Sequence, residues 1–335
     1  MLKYSISILI PVYNEERYIL NCLESVVNSD YSKERMEVFV IDGNSEDKTK
    51  ILVEEFQNKY SFINVLTNKD KIVPISMNIG IAHSKGDYII RLDAHSYYPP
   101  NYFSELVINA VKYKTDNIGT VCLTDVKQKT ARSLAIKTVL SSKFGVGNSL
   151  FRIGVNNPVE VDTVPFGCFT KKILNKVGGY DERLVRNQDI EINKRIKSIG
   201  GNILLLPEPK CIYYAREDYK SFAKNNFSNG EWNILTAYYT KKLNSLSLRH
   251  FVPLVFVSSI ILPLLLSILD IRFAYFSIGI LLLYLLVISF VSISLSKKIS
   301  NYINLMCVFC ILHFSYGIGS FVGIIKLFKL KFIGK

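Results

Sequence analysis

No Gly-x-Gly-x-x-Gly follows the first apolar run of this chain, and no Gly-x-x-x-x-Gly-Lys-Ser/Thr occurs in it, so neither a dinucleotide fingerprint nor a P-loop is present to cradle phosphates. Cysteine is sparse. Cys22, Cys122, Cys168 and Cys211 stand singly, which argues against a disulfide framework and against a zinc site. Cys307 and Cys310 form a Cys-x-x-Cys only inside an apolar stretch, where neighbouring thiols on one helical turn are the simpler reading than a redox pair. Acid is scarcer than base: 28 Asp and Glu against 41 Lys and Arg, a net charge of +13. No helix-turn-helix, zinc-finger or RNP pattern accompanies that excess, so it points to an anionic bilayer surface and phosphorylated substrates, not to nucleic acid. A signal peptide is lacking as well, since Met1-Leu-Lys-Tyr-Ser runs straight into an apolar strand, and residues 1–250 are expected to stay in the cytosol. The chain shows no internal repeat and no low-complexity tract apart from apolar spans.

Those spans follow a sharp change of composition near residue 250. Upstream, charged and apolar positions mix as in a soluble α/β domain; Phe251 to Phe328 is mostly Leu, Ile, Val, Phe and Ser. Three stretches, Phe251–Leu269, Phe273–Leu295 and Tyr302–Leu327, are each long enough at 1.5 Å per residue to cross a hydrocarbon core of about 30 Å. They are nearly uncharged on every face, which disfavours a buried hairpin in a soluble core. If the first two form a hairpin, Lys297 and Lys298 lie on the cytosolic side, in keeping with the positive-inside rule. A third full span would then send Lys326, Lys329, Lys331 and Lys335 outside, so this element either re-enters or breaks the rule. Gly319-x-x-x-Gly323 lets a helix pack closely there. The stretch Tyr219–Leu248, rich in Phe, Tyr, Trp and Lys, suits helices at the membrane interface.

The first part reads as alternating strands and helices. Ser5–Ile10 is an apolar strand stopped by Pro11, and Asn14-Glu-Glu-Arg17 opens a helix with Ile19, Leu20, Leu23, Val26 and Val27 on one face. Met36–Ile41 is a strand ending at Asp42, after which Asn44 or Ser45 is placed to cap a helix over Lys48–Tyr60. Ile63–Thr67 (strand), Val73–His83 (helix) and Tyr88–Leu92 (strand) follow, the last ending at Asp93. Ile118–Leu123, Thr163–Phe169 and Asn202–Leu206 are further strands, Gly178-Gly-Tyr-Asp181 a turn, and Ile190–Ile199 a helix. Such alternation predicts a largely parallel sheet with ligands beyond the carboxyl ends of its strands, a rim that gathers Pro11, Asp42 and Asp93.

Ile10-Pro-Val-Tyr-Asn-Glu15, Asp42-Gly-Asn-Ser-Glu-Asp47, Asn78-Ile-Gly80, Gly86-Asp-Tyr88, Asp93-Ala-His95, Gly178-Gly-Tyr-Asp181 and Gln188-Asp189, in that order, resemble family 2 glycosyltransferases. The Asp-Ala-His form and the apolar tail look most like the bacterial succinoglycan-type transferases that build exopolysaccharide repeat units. The resemblance covers about residues 4–235 and, more loosely, the tail. It implies a GT-A fold, an α/β nucleotide-diphospho-sugar domain with a Rossmann-like mixed sheet, over residues 1–218. An interfacial segment over 219–250 and a membrane region of two to three hydrophobic helices over 251–335 would follow.

By the same resemblance Pro11, Tyr13, Glu15 and Asp42 line a nucleoside pocket. A carboxylate there accepts from an imide N–H, which favours uracil. Asp42 is equally suited to a turn, and Gly43 stands where the family commonly has a second acid. Asn78 would help hold the donor. Asp93 matches the first acid of the metal-binding Asp-x-Asp and His95 replaces the second; one carboxylate with the diphosphate and water suits Mg2+, while imidazole suits Mn2+. His95 is either a ligand or structural. Asp189 matches the general base, with Gln188 where Glu is usual; the alternative for Asp189 and Glu191 is a favourable charge at a helix start. Gly178 and Gly179 would bring backbone close to the donor sugar, with Phe166-Gly-Cys168 contributing to that wall, packing being the alternative.

Trp232 lies where membrane synthases carry Gln-x-x-Arg-Trp, but no Arg directly precedes it, and loss of that guanidinium argues against a processive polymerase. Trp232 then either touches the acceptor or anchors at the interface. The implied activity is a membrane-anchored, inverting transfer from a UDP-sugar to a polyprenyl-diphosphate-linked glycan, at the cytosolic face of the inner membrane. Transfer to a polyprenyl phosphate is an alternative. A catalytically silent nucleotide-binding membrane scaffold is another, resting on Gly43, His95 and Gln188.

Overall fold

A computed structural model describes residues 3–241, 248–296 and 299–332, with side chains assigned to residues 301–330 of the last stretch. Lys297, Lys298, Lys335 and part of the 219–248 stretch therefore lie outside the described residues, as does the side chain of Lys331. Two compact units are distinguished: residues 1–123 with 150–214, and residues 124–149 with 215–335.

The first unit begins with β1 (Ile6–Val12), α1 (Ile19–Val27), β2 (Met36–Asp42), α2 (Thr49–Lys59), β3 (Ile63–Thr67), α3 (Val73–His83) and β4 (Tyr88–Arg91). β1, β2 and β4 are buried over almost every residue, which is why they read as continuous apolar runs and pair in parallel. Side chains alternate between two cores. Ile8, Ile10, Val38 and Val40 face one that holds Leu23 and Phe103; Leu9, Phe39, Ile41 and Ile89 face another with Met77 and Ile192. The chain continues through β5 (Ser96–Tyr97), α4 (Tyr102–Tyr113) and β6 (Asn117–Asp125), whose last two residues belong to the second unit.

After the second unit's excursion through α5 (Ala131–Leu140) and α6 (Lys143–Val146), the first unit resumes. Its remaining elements are α7 (Leu150–Ile153), β7 (Val159–Glu160), β8 (Cys168–Thr170), α8 (Lys171–Val177), α9 (Gln188–Ser198) and β9 (Ile203–Tyr214). Among the described residues the strand order is β3-β2-β1-β4-β8-β6-β9-β5, with β7 on β9. The expectation of a largely parallel sheet holds for β1, β2, β3 and β4, which pair in parallel. β8 is inserted antiparallel between β4 and β6, Ile90 against Cys168 and Ile118 against Cys168, and the short β5 and β7 pair antiparallel with β9, so the sheet is mixed.

Sequence order runs outward from β1 to β3 and then returns to β4 on the other side of β1. That reversal opens a crevice at the carboxyl ends of β1 and β4, the place where such sheets take ligands.

Three local expectations need correcting. Asn44 and Ser45 do not cap α2, whose N-cap position is Lys48 with no side-chain cap bond; Asp47 just before it accepts from Thr49 N at 2.9 Å. The strand drawn over Thr163–Phe169 is confined to β8, because Phe166 and Gly167 take positive φ (63° and 60°) and break the ladder. The strand drawn over Asn202–Leu206 runs on to Tyr214 as β9.

The second unit adds α10 (Tyr219–Thr240), α11 (Val252–Leu266), α12 (Arg272–Leu295) and α13 (Ile299–Phe332) to α5 and α6. By length and composition, the helical segments Leu248–Leu266, Arg272–Leu295 and Asn301–Leu330 are apolar enough to cross a membrane.

Candidate active site

The loop leaving β1 is laced to the loop leaving β2. Asn14, with φ 55°, donates its N–H to Ser45 Oγ at 2.9 Å and accepts from Glu46 N at 2.8 Å, while Glu15 N donates to Thr49 Oγ1 at 2.7 Å. Pro11 pairs with Ile41 in the last turn of the β1–β2 ladder. Tyr13 is exposed on this rim under the Lys71 ammonium, 5.1 Å from its ring centre, and Lys71 is held by Glu46 at 2.9 Å. Asp42 is buried, its carboxylate accepting from Ser45 N at 3.1 Å. The turn role considered for Asp42 is thus real. A side chain at Gly43 would come within 3.2 Å of the Val12 carbonyl, a close approach that suits glycine.

Asp93 follows β4 by two residues, its backbone N–H fixed by the hydroxyl of fully buried Tyr98 at 2.9 Å. His95 sits 3.1 Å from Glu15 Oε1 through Nδ1, which ties the β4 loop to the β1 loop. With the proton on Nδ1 this is a hydrogen bond donated to the carboxylate, the arrangement that turns Nε2 into the ligating nitrogen of a metal-binding histidine.

Arg91, inside β4 and buried, is the residue that joins the acids. One terminal nitrogen contacts Asp93 Oδ1 at 2.9 Å and the other contacts Asp189 Oδ1. Asp189 stands in the first turn of α9, after Asn187 in the left-handed conformation (φ 61°). Burial works against ionised Asp93, but Arg91 and His95 outweigh it and hold its pKa below the usual carboxylate value. For Asp189 burial prevails: it raises the pKa, Arg91 opposes the rise, and the Asp93 charge adds to it. The two carboxylates are pushed apart in acidity, the lower one suited to staying charged and the higher one to taking a proton.

Asn78 clamps the turn that follows α8. Its Oδ1 accepts from Tyr180 N at 2.8 Å, and its Nδ2 donates to Tyr180 O at 2.9 Å and Glu182 Oε1 at 2.8 Å. Gly178 and Gly179 make this turn with φ of 86° and 76°, and a Cβ on Gly179 would lie 2.7 Å from Asn78 Oδ1. The close approach expected of this glycine pair is therefore made by an amide of the protein itself. Glu191 faces away from the acids, forming a two-pronged pair with Arg195, which also binds the carbonyls of Val177 and Gly179. Gln188 is buried. Trp232 belongs to the second unit, on α10, stacked on Tyr239 at 6.4 Å.

Two functional candidates escaped sequence reasoning. Arg91 had a signal, a charge in the apolar run Tyr88-Ile-Ile-Arg-Leu, since a buried guanidinium demands carboxylates nearby. Tyr180 is buried, its hydroxyl has no hydrogen-bond partner among the described residues, and burial raises its pKa with Asp189, Arg91 and Asp93 among its electrostatic neighbours. Arg91 Nε is likewise buried without a partner.

The mixed sheet, the crevice at its reversal and the acids along that rim define a nucleotide-sugar transferase domain. The model of Glycosyl transferase family 2 matches residues 7–177, just over half of the chain, and the chain belongs to that family. It is therefore a glycosyltransferase.

A Methanococcus voltae dolichyl N-acetyl-alpha-D-glucosaminyl phosphate 3-beta-D-2,3-diacetamido-2,3-dideoxy-beta-D-glucuronosyltransferase is 29% identical over 231 residues, covering 67% of this chain and 71% of that protein. Succinoglycan biosynthesis protein ExoA of Rhizobium meliloti is 29% identical over 212 residues, 62% of this chain and 63% of the relative. A probable glycosyltransferase of Bacillus subtilis, YdaM, is matched over only 49% of its length, so the chain spans between half and three quarters of these relatives. Among solved structures, a mannosyltransferase from Pyrobaculum calidifontis in complex with GDP-Man and Mn2+ superposes with a TM-score of 0.62 at 13% identity, covering 96% of this chain and 88% of that one. Residues 1–349 of S. aureus TarS in complex with UDP-GlcNAc superpose with a TM-score of 0.51 at 14% identity, covering 96% and 92%. These likenesses establish the GT-A fold.

Proposed function

We propose that the protein is a membrane-anchored, inverting glycosyltransferase that moves a sugar from a UDP-sugar to a polyprenyl-diphosphate-linked glycan in exopolysaccharide or capsule assembly. The observation that carries this reading is the Arg91 bridge, which holds a lowered-pKa carboxylate at the end of β4 and a raised-pKa carboxylate at the start of α9 in one fixed relation.

Pro11, Tyr13, Glu15 and Asp42 form the nucleoside end, and Asn78 with the Gly178-Gly179 turn borders the sugar. Asp93 and His95 supply one carboxylate oxygen and one imidazole nitrogen, a donor set that fits Mg2+ or Mn2+ when the diphosphate and water complete the shell. Glu15 orients the imidazole as an outer-shell carboxylate does for a ligating histidine. The ion, when bound, neutralises the departing diphosphate.

Asp189 accepts the proton of the acceptor hydroxyl as that oxygen bonds to the anomeric carbon. The bond from the anomeric carbon to the phosphate oxygen breaks on the opposite face, and UDP leaves with the electron pair. An α-linked donor thereby yields a β-linked product.

A lipid-linked acceptor is supported by two observations. The Methanococcus relative is by name a transferase onto a dolichyl-linked sugar, and the tail contains helices apolar enough to span a membrane. The three-part division (residues 1–218 catalytic, 219–250 interfacial with Trp232 as anchor, 251–335 in the membrane) belongs to this proposal. So does a cytosol-facing catalytic unit at the inner membrane.

The test is nucleotide release from membranes carrying the protein, across UDP- and GDP-sugars with lipid extract and Mg2+ or Mn2+, beside Asp189→Asn. Release that requires one UDP-sugar and metal, and is lost in the variant, is expected, with the new lipid-linked product one sugar heavier on a diphosphate. A single sugar on a monophosphate would instead identify a carrier-lipid synthase. Binding of UDP-sugar with no turnover affected by Asp189→Asn would favour the scaffold.

A further inference from the structure

The third apolar helix poses a conflict between hydropathy and charge, and its neighbours within the second unit resolve it. α13 has 34 residues, about 50 Å at 1.5 Å per residue, against a hydrocarbon core of about 30 Å. A span that followed α12 back across the bilayer would bring its own far half beside the turn between α11 and α12.

α13 takes another course. Tyr302 bonds Ser289 at 2.8 Å and His313 bonds Tyr284 at 3.1 Å, both in the second half of α12, while Gly317 packs on Pro253 and Val257 at the start of α11. Over these residues α13 therefore stays near the end of the hairpin from which it departs.

Beyond that point it lies against α10. Gly319 meets the Phe227 backbone, Gly230 meets the Tyr316 carbonyl, and Ser320 Oγ donates to Gly230 O at 3.1 Å. Gly323 meets Glu231 and Ile234, Lys326 pairs with Glu231, and Tyr219 Oη donates to Asn304 Oδ1 at 2.6 Å. Asn233 Nδ2 donates to Tyr316 Oη at 2.6 Å.

α10 carries Lys220, Lys224, Asn225, Asn226, Asn229, Glu231 and Asn233, and is not itself apolar enough to span. α5, with Arg132 and Lys137, also packs on α13, and Phe144 of α6 meets the rings of Phe309 and His313 at 5.4 and 5.7 Å. Carrying α13 through the bilayer would drag these helices with it, at about 2.5–3.5 kcal/mol for each charge placed at the centre.

We infer that α13 does not cross the membrane but lies along its interface, on the side where α12 ends, so that of the three apolar helices only α11 and α12 cross. The bilayer is then the partner of the face opposite α10, where Ile318, Ile325 and Phe328 are exposed, and Ile303 is exposed nearer the start. Lys326 and Lys329 sit at the headgroup level, where an anionic leaflet attracts them, and the positive-inside conflict disappears. The inference does not depend on which donor or acceptor the enzyme uses.

Two reporter positions in the intact 335-residue chain test it: an insertion in the 267–271 turn and a fusion after Lys335, each made with an alkaline phosphatase active only outside and with a fluorescent protein that matures only inside. Opposite readouts at the two positions are expected. The same side at both would mean that α13 crosses and would overturn the inference. A second arm keeps the chain unfused: Asp270→Cys and Lys329→Cys, with Cys307 and Cys310 replaced by Ser, in sealed vesicles exposed to an impermeant maleimide. Labelling of the two cysteines in vesicles of opposite orientation supports the interfacial helix, and labelling in the same orientation refutes it.

Discussion

Removing Arg91 should separate its role from that of the acids it joins. The guanidinium is buried in β4 and contacts Asp93 and Asp189 at once, so Arg91→Met would leave two partly buried carboxylates without their shared cation. Breaking a fully buried pair by removing one partner costs about 3–5 kcal/mol; with the Asp189 side chain 34% exposed the loss should be smaller, and both carboxylates would become harder to ionise. Arg91→Lys keeps the charge but not the fork, and a single ammonium cannot serve two carboxylates in fixed directions. If that slack displaces the base by about 1 Å, a loss on the order of 100-fold in kcat is expected, with a smaller change in the KM for the donor.

The assay is nucleotide release over a pH series, beside thermal melting of the purified protein in detergent. Asp189 acts as a base only when ionised, so activity falls as pH drops through its pKa. In Arg91→Met the lowering influence of the guanidinium is gone, and this acid limb should move to higher pH. Partial recovery of Arg91→Ala by added guanidinium would confirm that the cation, not strand packing, is what was lost. Arg91→Lys at the wild-type rate with an unshifted pH profile would refute the reasoning.

In the wild type, the acid limb of kcat should lie above the value of about 3.9 typical of an unperturbed Asp, because burial raises Asp189, and Asp189→Asn should abolish the limb together with the activity. Gly179→Ala would place a Cβ 2.7 Å from Asn78 Oδ1 at a φ of 76°, so a loss of about 1–3 kcal/mol in stability is expected by thermal melting. A melting temperature unchanged from wild type would show that the Asn78 clamp yields. Gly230→Leu should force α10 off the Tyr316 carbonyl of α13, and protection of both helices from hydrogen exchange in detergent should fall together. Chelation should abolish nucleotide release, and Mg2+ or Mn2+ should restore it, whereas His95→Ala should weaken the metal dependence more than it weakens folding.

Much of the site was legible as local pattern. Pro11, Asp42 and Asp93 lie at strand ends because an apolar run closed by Pro or Asp marks where a buried strand reaches the rim, and that is readable residue by residue. The apolar tail was legible for a similar reason, since a bilayer imposes length and composition on each segment separately. The antiparallel insertion of β8 between β4 and β6 was not legible. Phe166 and Gly167 shorten β8 through positive φ, and nothing in their residue types announces which strand they will accompany. Ser45 has the residue type of a cap, but where the helix starts depends on where the backbone bends, and α2 begins only at Thr49, whose N–H meets Asp47.

The amino-acid sequence by itself determined which chemical groups exist, the family-like order of its acids and the presence of three apolar stretches, because these are properties of composition and spacing along one dimension. Tertiary structure alone decided that Arg91 would join Asp93 to Asp189, acids 96 positions apart (189 less 93), and that Asn78, not a ligand, would meet Gly179. It also decided that α13, apolar enough for a span, would be flanked by the polar helix α10. The physical reason is the same in each case. Burial raises the electrostatic and steric cost of an unmatched group, and which group provides the match is set by packing between distant segments.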